Sequence, residues 1–187
     1  MGIATITDIY NRGIYTSKHI PTLYAIKTKL TPLKRIEVKK GQILQKDGDL
    51  NTKVYHVESG LLRSYTIDES GKEHIFMFAS ENWLIGDGVG HNEPCQLFID
   101  ALEDSIVIPI ERDSPKLSDS HKLIRRVEVL QNRIIKLMSA SAIERYEDFI
   151  ETYPDIVQRV PQKMIASYLG ITPEALSRVR KSLSQGK

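Results

Sequence analysis

Residues 161–181 of this chain read PQKMIASYLGITPEALSRVRK, and this stretch decides how the C-terminal part folds. Its apolar residues recur at the three- and four-residue spacing of helix faces, at Ile165, Leu169, Leu176 and Val179. Gly170 follows Leu169, at the point where a first helix has to stop. The pattern therefore predicts two short amphipathic helices joined by a tight turn.

The residues of the turn suit the end of one helix and the start of another. Gly170 can adopt the left-handed conformation without a Cβ clash. Thr172 offers a hydroxyl as an N-cap, and Pro173 fits the first helical position. Glu174 complements the dipole of the second helix, which we expect to begin at about Pro173. The small side chain of Ala166 lets the two helices approach closely.

The second helix carries its polar side chains opposite its apolar face. Arg178 can bond O6 and N7 of guanine, and Glu174 can accept from N4 of cytosine. Lysine and arginine side chains nearby suit phosphates, which position a protein without reading sequence. The pattern predicts a helix-turn-helix that enters the major groove of double-stranded DNA. The residues assigned to DNA are Lys163, Thr172, Pro173, Glu174, Ser177, Arg178, Arg180 and Lys181.

The charge of the C-terminal part supports this interpretation. From Ile156 onward Glu174 is the only acidic side chain, whereas the whole chain has a net charge of only +2. The basic side chains of this part are Arg159, Lys163, Arg178, Arg180, Lys181 and Lys187. The competing interpretation is an ordinary helical hairpin with a solvated basic face.

Composition indicates an ordinary globular protein. Of 187 residues, 41% are hydrophobic and 27% are charged, and no apolar run approaches the roughly 18 residues of a membrane span. The N-terminus lacks the features of a signal peptide, and we expect no membrane partner. The lone Cys95 excludes a disulfide framework and a cluster held by four cysteines of one chain, and it predicts a cytoplasmic location.

Residues 33–110 are predicted to be all-β, because turn residues recur at short intervals. The predicted strands cover residues 53–58, 61–67, 74–79, 83–85, 97–102 and 105–110, and Asp68-Glu69-Ser70-Gly71 joins two of them as a hairpin. Strands this short and evenly spaced predict a sandwich or jelly roll. Before them, residues 1–32 predict one or two short helices.

Residues 118–140 predict a long helix. Its apolar residues alternate in steps of four and three, which is the seam of a coiled coil and favours a homodimer. A core helix packed on its own β domain is the alternative. A second helix is predicted over residues 142–153. The seam residues are Leu123, Val127, Leu130, Ile134 and Leu137.

The segment order and turn motifs together resemble the Crp/Fnr family of bacterial transcription regulators. Lys40-Gly41-Gln42, Val57-Glu58-Ser59-Gly60 and residues 68–73 resemble successive turns of its sensor, and residues 169–178 resemble its recognition element. The resemblance implies an α+β chain with a β-roll sensor domain and N-terminal helices over 1–117, a dimerisation helix over 118–140 and a DNA-binding domain over 141–187. It also implies RNA polymerase and a small-molecule effector as partners.

The chain departs from the family pattern in two places. Glu174 and Arg178 match two base-contacting residues of the family, but Pro173 stands where the family has an arginine, so one base contact is missing. The segments 153–160 and 182–187 are short, which predicts a reduced β wing. These departures leave open a sensor or partner-binding module whose helix-turn-helix no longer reads DNA.

The resemblance places an effector pocket at Gly86, Asp87, Gly88, Cys95 and Gln96. Asp87 stands where cyclic-nucleotide-binding members have a glutamate, and Cys95-Gln96 stand where they have Arg-Ser. Between Ser64 and Glu111 there is no arginine, and Lys72 is the only lysine. Burying a phosphate without such partners is costly, so the composition disfavours cyclic AMP, unless Arg63, Arg112 or backbone amides compensate. The pocket takes another small molecule, or none.

Other chemistry has little support in the sequence. The five histidines have no metal-ligand spacing, and a nucleophile elbow is absent. We therefore expect no enzymatic activity and no bound metal. The sequence assigns no cofactor, and a cyclic nucleotide is disfavoured. A β-roll enzyme of the cupin type is the remaining alternative, and it requires a bound metal.

Overall fold

The computed structural model describes residues 34–90, 92–111 and 120–185. The helices predicted for residues 1–32 lie outside this part, as do Arg112 and the predicted domain boundary near residue 117. The side chains of Leu123 and Val127 also lie outside it.

The described N-terminal part contains eight strands that form two antiparallel four-stranded sheets. The first sheet has the order β1-β8-β3-β6, and the second has the order β2-β7-β4-β5. The strands are β1 (Ile36–Val38), β2 (Ile43–Gln45), β3 (Val54–Ser59), β4 (Leu62–Ile67), β5 (Glu73–Ala79), β6 (Leu84–Ile85), β7 (Phe98–Ala101) and β8 (Ser105–Ile110).

This architecture confirms the predicted β-roll. Each of the six predicted strands is present, with ends that differ by one residue at most. The hairpin between β4 and β5 is also present, with Asp68 N donating to Lys72 O at 3.0 Å and Gly71 at a φ of 79°. The sequence pattern does not predict β1 and β2, because three residues are too few to show an alternation.

The two sheets bury one apolar core between them. The side chains of this inner core come from both sheets, and β3 alternates between buried and partly exposed residues over most of its length, as a strand with one buried face does. Its buried members are Val38, Tyr55, Val57, Leu62, Ala79, Ile85, Ile99, Ala101 and Val107.

Five helices follow the β-roll. They are α1 (Ser120–Ser139), α2 (Ala142–Thr152), α3 (Ile156–Arg159), α4 (Gln162–Leu169) and α5 (Pro173–Gln185). The long helix and its successor were predicted with similar bounds. None of the described helices is both long enough and apolar enough to cross a bilayer.

The helix bounds have local causes. Ser141 begins α2 with a capping box, in which its hydroxyl accepts from Glu144 N and the Glu144 carboxylate accepts from Ser141 N. The segment considered for a wing contains the short helix α3, and no strand occurs among the described residues after Ser139.

Helices α2 to α5 pack on the outer side of the second sheet and form a second core with it. Phe78 of β5 lies 6.2 Å from Phe149 and 5.7 Å from Tyr168, measured between ring centroids. Tyr153 packs against the same ring and against Trp83. This aromatic cluster joins the β-roll to the C-terminal helices through buried side chains.

Candidate nucleic-acid interface

The turn between α4 and α5 has the predicted geometry. Gly170 lies at φ 65° and ψ 33°, in the left-handed region, and closes α4 as its C-cap. The Thr172 hydroxyl accepts from Ala175 N at 3.2 Å, which caps the start of α5. The helix begins at Pro173, as predicted.

A shared apolar contact fixes the angle between the two helices. Ile165, Ala166 and Leu169 of α4 are at most 3% exposed, and Leu176 and Val179 of α5 are at most 6% exposed. The predicted close approach at Ala166 is consistent with its 1% exposure. The pair therefore presents the opposite face of α5 at the surface.

That face carries residues assigned to base reading and others assigned to phosphate contacts. Glu174, Ser177, Arg178 and Lys181 are exposed, and Arg180 is partly exposed. Hydrogen bonds from its own main-chain amide and from Thr172 lower the pKa of Glu174, and Arg178 lowers it further. The carboxylate is therefore ionised at neutral pH and can only accept hydrogen bonds.

A shallow depression runs beside this face, between the start of α4 and the second half of α5. It is lined by Gln162, Ser177, Arg180, Lys181 and Ser184. Two cations with hydroxyl and amide donors suit a phosphate backbone. Sequence reasoning missed Gln162 and Ser184, because neither carries a charge. The other residues assigned to DNA are exposed as well, and each lies within five positions of a residue that lines the depression. They are Lys163, Thr172 and Pro173.

Two arginines outside the pair hold the end of α4. Arg145 of α2 donates to the Leu169 carbonyl oxygen at 2.8 Å. The Arg133 guanidinium of α1 lies 4.2 Å from the ring centroid of Tyr168. Cations at a helix C-terminus stabilise it through the last carbonyls and the dipole. Sequence reasoning missed both, because their partners lie 24 or more residues away.

The residues predicted for an effector pocket form one loop of the β-roll. Asp87 accepts from Gln96 N at 2.8 Å and from Leu97 N at 3.0 Å, so its carboxylate closes the loop. Cys95 is buried and donates to the Lys46 carbonyl oxygen at 2.8 Å. Burial raises the pKa of the Cys95 thiol. Gly86 and Gly88 flank Asp87, whose other carboxylate oxygen accepts from Val89 N at 3.2 Å.

Arg63, which could have compensated for the missing cations, is already engaged. Its guanidinium donates to both carboxylate oxygens of Asp100, at 2.8 and 2.9 Å, and also to Glu73. It stacks on Tyr65 and is 6% exposed. An arginine held by two carboxylates has little capacity left for a phosphate.

An apolar stripe lies exposed near the end of α1. Ile134 is 56% exposed, Ile135 58% and Met138 82%. The predicted seam includes Ile134, whereas Ile135 and Met138 lie outside it. Leu137, a predicted seam residue, is 41% exposed and borders the cleft between α1, α2 and α4. Leu130 is partly exposed.

The described part of the chain contains no candidate metal site. There, no three side chains among the histidines, cysteines, aspartates and glutamates come together as metal ligands would. His74, which the sequence placed at the start of a strand, pairs with Asp68 at 2.7 Å.

Comparisons with known proteins agree with this geometry. The cyclic nucleotide-binding domain family matches residues 35–115. Regulatory protein HlyX of Actinobacillus pleuropneumoniae is 30% identical over 165 residues, which is 76% of this chain and 68% of that protein. The anaerobic regulatory protein of Haemophilus influenzae is 31% identical over 167 residues and is covered to 63%. The chain thus spans somewhat less than two thirds of that relative.

Solved structures share the fold at low sequence identity. FixK2 from Bradyrhizobium japonicum has a TM-score of 0.67 at 21% identity, with 83% of this chain and 87% of that chain covered. A transcriptional regulator of the CRP/FNR family from Thermus thermophilus has a TM-score of 0.64 at 17% identity, with 82% and 87% covered. The shared architecture extends from the β-roll to the C-terminal helices.

Proposed function

Since the chain belongs to the Crp/Fnr family of transcription regulators, we propose that it is a homodimeric regulator that reads double-stranded DNA through α5. Its β-roll serves as the sensor part, and its C-terminal helices serve as the DNA-binding part. The division of the chain near residues 117 and 140 belongs to this proposal.

The observation that carries the proposal is the exposed face of α5. Glu174 and Arg178 lie one helical turn apart on a helix whose other face is buried against α4. This arrangement suits a guanine and a cytosine edge in the major groove. Lys163, Arg180 and Lys181 supply phosphate contacts on either side.

Dimerisation through α1 is the second part of the proposal. An apolar stripe of Ile134, Ile135 and Met138 is costly to leave in water, and a second copy of the same helix would cover it. A two-fold dimer then presents two copies of α5 to half-sites about 34 Å apart, one turn of DNA.

The proposed sensor does not bind cyclic AMP in the usual way. Arg63 is committed to Asp100 and Glu73, and Asp87 is committed to main-chain amides of its own loop. An effector of this β-roll would therefore be a different small molecule. Because of the family membership, we also propose RNA polymerase as a partner.

A salt-titrated DNA-binding assay tests the proposal. Each protomer supplies three cations to phosphates, so a dimer supplies six. The logarithm of the association constant should therefore fall against the logarithm of the salt concentration with a slope of about −5. Absence of binding at low salt would instead favour the alternative, a module whose helix-turn-helix no longer reads DNA. Two observations motivate that alternative: Pro173 stands where the family has an arginine, and no strand occurs among the described residues after Ser139.

A further inference from the structure

The helix-turn-helix pair is fastened to an edge of the sensor sheet. Ile75 N donates to the Ser167 hydroxyl oxygen at 3.0 Å, and the same hydroxyl donates to the Glu73 carbonyl oxygen at 2.9 Å. β5 ends the strand order of its sheet, so no other described strand pairs with this side of it. Ser167 thus takes the place of a neighbouring strand and satisfies main-chain groups that would otherwise need water.

A bulge in β5 provides a second attachment. Ser64 pairs with Met77 and Tyr65 pairs with Ile75, so Phe76 is an extra residue between them. The Phe76 carbonyl oxygen accepts from the guanidinium of Arg133 in α1. Since Arg133 also lies against Tyr168, one side chain connects α1, β5 and α4.

The third attachment is the Arg159 cluster, which consists of Arg159, Glu81 and Glu103. The Arg159 guanidinium, at the end of α3, donates twice to Glu81, at 3.0 Å each. It also donates twice to Glu103, at 3.0 and 2.7 Å. Glu81 follows β5, and Glu103 follows β7. Paired bonds from a planar guanidinium fix orientation as well as distance.

The protein also holds Glu81 in place from the other side. Its Oε1 accepts from Gly60 N at 3.1 Å, and Gly60 has a φ of 93° in the turn between β3 and β4. Burial raises the pKa of Glu81, but the hydrogen bonds from Arg159 and main-chain amides outweigh it, so the pKa lies below its usual value. The carboxylate is therefore charged over the whole physiological pH range.

The attached orientation leaves the reading face open. Glu174, Ser177, Arg178 and Lys181 are exposed while α3 and α4 are fastened to the β-roll. The attachments therefore do not cover the surface that reads DNA. They fix its position relative to α1, the proposed dimer helix.

We propose that the Arg159 cluster locks the helix-turn-helix pair on the β-roll in an orientation that binds DNA without an effector and thereby sets the half-site spacing. This inference rests on the proposed function. If only a fraction of the molecules held the helix-turn-helix pair in the orientation that binds DNA, the apparent affinity would fall by that fraction. A pair that is already fixed in this orientation avoids the loss. Arg159 is a positioning residue, since its guanidinium is occupied by two carboxylates and faces the β-roll.

The test removes the attachment and adds positive charge at the same time. The double variant Glu81→Gln/Glu103→Gln keeps Arg159 but weakens its bonds, and it makes the protein less acidic. A purely electrostatic effect would strengthen DNA binding, whereas loss of the lock should weaken it roughly three- to tenfold at the optimal site. Glu58→Gln, which weakens a surface ion pair with Arg35 in the first sheet and also makes the protein less acidic, is the matched control and should not weaken DNA binding.

The decisive measurement is affinity against half-site spacing. Duplexes carry the selected site with its half-sites moved closer or further apart by one base pair at a time. The wild type should show a sharp optimum, and the double variant and Arg159→Ala should show a broader one with the same salt slope. An unchanged spacing profile, or tighter binding by the double variant, contradicts the inference.

Amide hydrogen exchange tests the lock without DNA. The Ile75 amide should exchange faster in the variants than in the wild type, while amides of the inner core, such as that of Ile99, should not change. Unchanged exchange at Ile75 contradicts the lock. If the wild type binds no DNA, the proposed function fails. Hydrogen exchange at Ile75 still shows whether the Arg159 cluster holds the helix pair on the β-roll. Thermal unfolding and Arg159→Lys, which keeps the charge, show whether a variant has simply failed to fold.

Discussion

The Ile75 amide in β5 donates to the Ser167 hydroxyl in α4 over 3.0 Å, although the two residues lie 92 positions apart in the sequence. Through this bond the first helix of the helix-turn-helix pair becomes a lateral neighbour of the sensor sheet. The surface proposed to read DNA therefore has a defined position on the β-roll. A helix pair on a free linker would have no such position.

Arg178 is expected to read a base. Its replacement by alanine should cost about 1–3 kcal/mol of binding free energy on the preferred site and relax specificity at one base pair. Competition between the preferred duplex and duplexes altered at each position measures both effects. An equal loss on all sequences would show that Arg178 contacts only phosphate.

Lys181 is expected to contact phosphate. Lys181→Ala should weaken binding to all duplexes similarly and reduce the salt slope by about one unit per affected contact. Salt titrations of the variant and of the wild type on two unrelated duplexes measure this. A loss confined to the preferred sequence would assign Lys181 to base reading instead.

Gly170 is expected to matter for its backbone conformation and not for space. At φ 65° an alanine should destabilise the fold by about 1–2 kcal/mol, whereas asparagine, which visits the left-handed region more readily, should cost less. Neighbouring atoms lie 3.6 Å from an added Cβ, which is ordinary contact.

Denaturant unfolding of the two Gly170 variants measures these costs. Gly88→Ala is the control, since Gly88 has open space and no positive φ. Equal stability of the alanine variant and the wild type would mean that the turn does not keep this conformation.

The apolar stripe of α1 is expected to hold the dimer. Met138→Glu places a charge on the most exposed apolar side chain of the stripe and should shift the protein toward monomer. Sedimentation at several concentrations measures the change. Ile67→Glu is the control, because Ile67 is 45% exposed at the far end of β4. If both variants stay dimeric, the interface lies elsewhere.

Local chemistry explains why the helix-turn-helix could be predicted from sequence. Gly170, Thr172 and Pro173 each act through their own backbone or through a neighbour three residues away. Their consequences are therefore visible in the order of residues. The hairpin at Asp68 was predictable for the same reason, since its hydrogen bonds join residues within four positions.

The attachments to the β-roll could not be predicted in this way. The partners of Arg159 lie 56 and 78 residues away, and the carbonyl bound by Arg133 lies 57 residues away. By sequence alone Arg159 belongs to the basic residues of the C-terminal part. The fold instead turns it toward Glu81 and Glu103, which only the strand order brings near it.

The exposed apolar residues of α1 could be predicted only in part. A heptad pattern correctly predicted a long helix, but the contacts of Arg133 with Phe76 of β5 and Tyr168 of α4 show which side of that helix faces the β-roll. Arg133 faces the β-roll, and this rotation places Ile135 and Met138 at the surface together with Ile134. Periodicity alone does not give the rotation of a helix about its axis.

Selection of bound sequences from random duplex DNA, with purified protein and no added ligand, tests the central claim most directly. The account predicts enrichment of a two-fold-symmetric site with half-sites one helical turn apart, and loss of one defined position with Arg178→Ala. If no sequence is enriched, either by the protein alone or in the presence of cyclic AMP, the claim that α5 reads DNA is contradicted.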